Sequence, residues 1–86
     1  MPRSPLTLDR VALGRVARVS RVDWDALPAQ EARRLKDLGL YEGAEVEPLH
    51  RGALFFRDPL AVRLGRLSVI LRGKHARAVT VVPEPD

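Results

Sequence analysis

The chain has no cysteine and few aromatic residues: one Trp, one Tyr and two Phe in 86 residues. Without thiols there is no disulfide framework and no thiolate metal site. With so few aromatics there is no groove for proline-rich ligands and no row of rings on which bases stack. No apolar run is long enough for a transmembrane helix. The opening Met1-Pro2-Arg3-Ser4-Pro5 lacks the apolar block of a secretory signal, so the cytoplasm, or the membrane's inner face through a partner, is the expected location. Lysine is scarce as well. Only Lys36 and Lys74 are present, and arginine supplies the rest of a net charge of +4. The arginines are dispersed from Arg3 to Arg77 with no long basic block, which speaks to solubility and association rather than fold.

Catalytic and metal patterns are also missing. Ser20 and Ser68 have no adjacent His, and no pair of acids is placed by a motif, so the chain reads as a non-enzyme. Gly39 and Gly43 frame no phosphate loop, because no Lys-Ser/Thr follows. His50 and His75 lie on different elements. Neither has a His or Cys three or four residues away, and His50 near Glu45 and Glu47 is no metal motif. Both read as surface histidines, and neither a metal site nor a cofactor is expected.

What is present is architectural. Residues 35–46 read Leu-Lys-Asp-Leu-Gly-Leu-Tyr-Glu-Gly-Ala-Glu-Val. Gly39 follows the last apolar helical position, Leu38, and is suited to a left-handed helix stop. Leu40 then folds back on Leu35 in a Schellman-type ending. Gly43 stands where a type II turn needs positive φ, and Ala44 starts a strand.

The pattern Leu35-x-x-Leu38-Gly39-Leu40-x-x-Gly43-x-Glu45-Val46 resembles the signature of FeoA domains, small cytoplasmic proteins of ferrous iron uptake. The likeness extends to Leu6–Asp9 and Gly14–Val16, to Asp58–Arg63, to Leu71, Arg72 and Ala76, and to Val79–Val82. Departures are Glu42 in place of the usual Pro, Pro48 where a β-former is usual, and the extra Phe55, Phe56 and Arg57 in a hairpin loop.

Along the chain, residues 1–5 read as a mobile tail, 6–82 as one domain and 83–86 as a C-terminal tail. Gly14–Val22 reads as a strand that is either bulged or only partly buried, since Val16, Val19 and Val22 do not alternate cleanly. A helix is predicted over Ala26–Leu38, with Asp25 as N-cap and Pro28 in the first turn. Its inner face is Leu27, Ala32 (or Glu31), Leu35 and Leu38; Gln30, Arg33, Arg34 and Asp37 face out. Trp24 and Tyr41 are expected to pack at its two ends. Ala44–Arg51 is a strand, an edge strand or bulged at Pro48. Leu60–Leu64 and Leu67–Leu71 follow, with Ile70 suggesting burial on both faces. Gly73–Ala76 is one helical turn, and Val79–Val82 is a last strand ended by Pro83. Five short strands with one helix after the first make a mostly β, half-open barrel, the SH3-like barrel that the resemblance also implies.

The resemblance implies an accessory or regulatory protein that contacts the FeoB transporter through its cytoplasmic GTP-binding portion. Leu38, Gly39, Leu40 and Tyr41, at the helix–turn corner, are the first candidate contact. Leu54, Phe55 and Phe56 are the second: two adjacent Phe in a loop do not both face inward easily, so either they form a partner or self-association patch or one of them caps the open end of the barrel. The alternatives are a small basic barrel that binds nucleic acid, and a barrel of the kind appended to metal-dependent repressors. The second needs a helix-turn-helix domain for which these residues leave no room, and the opening Met1 argues against a fragment.

Overall fold

A computed structural model describes residues 5–52 and 58–85 of the chain. In order come β1 (Leu6–Thr7), a 3-10 turn (Leu8–Arg10), β2 (Ala17–Val22), a second 3-10 turn (Trp24–Ala26), α1 (Ala29–Asp37), β3 (Glu45–Arg51), β4 (Leu60–Leu64), β5 (Leu67–Leu71), α2 (Gly73–Ala76) and β6 (Val79–Pro83). All strand pairs are antiparallel, in the order β1-β6-β2-β3-β4-β5. The two ends of that order are unpaired with each other, so the barrel is half open. Among the described residues there are six strands rather than five, because Leu6 and Thr7 add a short strand opposite Val81 and Thr80.

The alternation in β4 and β5 follows from their places in the sheet. Leu60, Val62 and Leu64 point inward, as do Val69 and Leu71. Ile70 is not buried on a second face. It is 55% exposed, because β5 is the last strand of the sheet and Ile70 lies on its outer side. β3 is an interior strand between β2 and β4, not an edge. Pro48, which has no N–H to give the ladder, is accommodated by a bulge between Pro48 and His50. A second bulge, between Val19 and Arg21 of β2, explains why the valines there do not alternate. The strand itself starts at Ala17, after Gly14-Arg15-Val16.

The helix begins later than its apolar spacing suggests, and Asp25 is not its cap. Asp25 lies in the 3-10 turn, and Pro28 occupies the N-cap position with no side-chain cap. The reason is Pro28 itself, which pushes the residue before it out of the helical region. Leu27 is accordingly extended, at φ −105° and ψ 143°. The Pro28 carbonyl still accepts the Ala32 N–H at 2.9 Å. Leu27, Ala32 and Leu35 enter the core, and Leu38 packs against it half-buried. Among the described residues every fully buried side chain of the core is apolar.

Candidate functional site

The corner between α1 and β3 is built by backbone hydrogen bonds. Leu40 N–H donates to Leu35 O at 2.9 Å, and Gly39 N–H to Lys36 O at 3.1 Å. Together these form the Schellman pair, with Gly39 at φ +107°. Ala44 N–H then donates to Tyr41 O at 3.0 Å, closing a turn whose third residue, Gly43, has φ +96°. The corner is tied to β2 from both sides. Gly43 N–H reaches Val19 O, and Val19 N–H reaches Ala44 O, both at 2.8 Å. Arg18 Nη1 adds a bond to Gly43 O at 2.9 Å.

This geometry divides the four candidate residues. Leu40 turns into the core and is 3% exposed, and Gly39 is a backbone stop. Tyr41 does not pack at the helix end. It is 61% exposed, on a rigid turn whose neighbours Glu42 and Gly43 are also exposed. Tyr41, with the uncovered edge of Leu38, is what the corner offers to another molecule. At the other end of α1, Trp24 packs partly against the core, and Lys36 Nζ lies 4.6 Å from its ring centroid. The second candidate set, Leu54, Phe55 and Phe56, lies outside the described residues.

Charged side chains bind the elements to one another. Glu31 on α1 receives Arg34 Nε at 2.7 Å and Arg34 Nη2 at 2.9 Å, and it accepts a hydrogen bond from His75 Nδ1 at 3.2 Å. The Arg34 hydrogen bond holds the Glu31 carboxyl below the usual carboxylate range, although burial opposes the shift. Arg34 Nη2 also donates to Ile70 O at 3.0 Å, which ties α1 to the edge strand β5. His75 is therefore not a surface histidine. Its side chain is only 12% exposed and joins α2 to α1, a role that sequence spacing could not reveal because Glu31 lies 44 residues away. On the outer face of the sheet, Arg63 bridges Glu47 at 3.0 Å and Glu45 at 3.2 Å, and Arg18 bridges Glu84 at 2.9 Å. No group of three or more His, Cys, Asp or Glu that could hold a metal ion occurs among the described residues. No helix among them is long and apolar enough to cross a membrane.

The model of the FeoA domain matches residues 6–83, which is nearly the whole chain. The chain belongs to the FeoA domain family. Solved structures agree. The FeoA protein of Chlorobium tepidum is 30% identical with a TM-score of 0.80, over 93% of this chain and 71% of that one. The zinc-complexed FeoA of Stenotrophomonas maltophilia, described as a procaryotic SH3 domain protein, is 35% identical with a TM-score of 0.70, over 88% of each chain. A manganese-dependent transcriptional repressor is 21% identical with a TM-score of 0.76, over 98% of this chain and 44% of that one, a likeness of fold alone. No curated protein matches the sequence. The barrel is thus the SH3-like fold of FeoA proteins, with the Schellman corner at the centre of the residues that carry the resemblance.

Proposed function

We propose that this FeoA-domain chain is a non-enzymatic, cytoplasmic accessory protein of bacterial ferrous iron uptake that acts by contact with the FeoB-type transporter, through the transporter's GTP-binding portion. Family membership supports the iron-uptake reading. The S. maltophilia relative has been put forward as a ferrous iron transport activating factor. The observation that carries the contact is the exposed Tyr41, a large side chain presented by a corner fixed at both ends by backbone hydrogen bonds. A tyrosine held this way loses little freedom on binding, which favours it as an anchor.

The test is NMR titration of labelled protein with the soluble GTP-binding domain of FeoB from the same organism. Shifts centred on residues 38–43, and a loss of about tenfold or more in affinity for Tyr41→Ala, are expected. Saturating shifts that bypass this corner and are unchanged in Tyr41→Ala would move the contact elsewhere. The nucleic-acid alternative has no comparable support among the described residues. Their aromatic side chains, Trp24 and Tyr41, stand at separate places and form no stacking row.

A further inference from the structure

Three arginines of the strands and of α1 have carboxylate partners. Arg18 is paired with Glu84, Arg34 with Glu31, and Arg63 with Glu45 and Glu47. A different set gathers where the first 3-10 turn meets α2. Arg10 from the first 3-10 turn, Arg51 from the end of β3 and Arg77 after α2 line one cleft of about 530 Å³. None of these three forms an ion pair with a carboxylate among the described residues. Asp9 lies in the same wall, yet its Oδ1 is buried without a hydrogen-bond partner among them. With Asp9 counted, the cleft keeps a net surplus of two positive charges.

Arg51 is the built part of this site. It is half-buried, and its Nη2 donates to Val11 O at 2.6 Å, which fixes the guanidinium in place. A guanidinium carries five N–H donors, so most remain to be used. An incoming anion would give those donors charge-assisted hydrogen bonds. The cleft also has an apolar side, formed by buried Leu60 and by Leu13, which is 49% exposed. Its volume falls in the range of small-molecule sites, which is roughly 300–1,000 Å³.

We infer that this cleft binds a small organic anion, with a carboxylate or phosphate head on Arg10, Arg51 and Arg77 and an apolar body against Leu13 and Leu60. Planar, forked guanidinium groups recognise both heads through paired N–H···O bonds. The site shares no residue with the Tyr41 corner and does not depend on the reading given to that corner.

The experiment is a titration of labelled full-length protein with four probes: inorganic phosphate, phenyl phosphate, acetate and benzoate. Backbone amides and arginine Nε–H signals are followed by NMR at constant ionic strength. Saturating shifts at Arg10, Arg51, Leu60 and Gly73 are expected. The phenyl-bearing probe of the preferred pair should bind about tenfold tighter than its bare head, because its ring leaves water against the leucines. The phosphate and carboxylate pairs tell which head the site takes. Arg10→Gln and Arg77→Gln, both at exposed positions, should each weaken binding about tenfold. Arg51→Lys keeps the charge but loses the fork, and should weaken it by a similar factor. Arg66→Gln removes the same charge from the β4–β5 turn, at the opposite end of β4 from Leu60, and should leave binding unchanged. Non-saturating shifts overturn the inference, as does equal weakening by Arg66→Gln and Arg77→Gln. An acidic peptide that binds here while all four probes fail would overturn it in favour of a protein partner.

Discussion

Gly39 combines a φ of +107° with open space where a Cβ would stand. Substitution there tests the cost of backbone conformation alone, free of any clash. Gly39→Ala should lower unfolding stability by about 1–2 kcal/mol in urea titrations, without altering the folded spectrum beyond the corner. At its neighbour Leu40 the same truncation should cost more, about 2–5 kcal/mol, because that side chain is in the core. Both roles were legible in the sequence, since a glycine after the last helical leucine, followed by another leucine, specifies this ending locally. The exposure of Tyr41 was not. Sequence places a tyrosine beside a helix end, and only the turn at Gly43 decides whether its ring lies on the core or away from it. The burial of His75 was hidden for a similar reason, because its partner Glu31 is brought to it by tertiary packing.

Among the elements, α1 is attached through the polar side chains of Glu31 and Arg34 as well as through Ala32 and Leu35. The carboxyl of Glu31 titrates below its ordinary value in the folded protein. Its contribution is therefore complete above the unfolded carboxylate value of about 4.3 and is lost as pH falls through the lower folded value. Stability measured by urea unfolding should fall over that acid range. In Glu31→Gln the part of the fall due to this group should vanish. An unchanged acid profile in the variant would assign the loss to other carboxylates. Strand boundaries were readable where one face alternates, as in β4, and less so where a bulge intervenes, as in β2 and β3. The helix start is less legible, because a proline is tolerated in a first turn but also constrains the residue before it, and its constraint on Leu27 delays the helix to Ala29. Ile70 looked doubly buried because a run of apolar residues does not reveal which strand ends a sheet.

For the whole molecule, the decisive feature is the position of β6. It lies between β1 and β2, with Leu6 opposite Val81 and Val19 also opposite Val81. Val79 and Val81 are fully buried, and Glu84 N–H continues the pairing to Val16 O at 2.9 Å. A chain ended after Ala78 should lose the barrel altogether, seen as collapse of amide dispersion in its NMR spectrum. A dispersed, native-like spectrum would show that the β2–β3–β4–β5 portion stands alone. The anion cleft was the least legible part of the molecule, because Arg10, Arg51 and Arg77 are far apart in sequence and converge only when the sheet curls. The placement of β6 also bears on synthesis. A ribosome delivers the N-terminal strands first and the strand that joins them last. While the nascent chain lengthens, β3, β4 and β5 can already pair as consecutive neighbours, but β1 and the outer edge of β2 have nothing to bind. The domain is therefore most open to proteases and to wrong strand partners until β6 has left the exit tunnel, and a pause in translation before that point would lengthen the window.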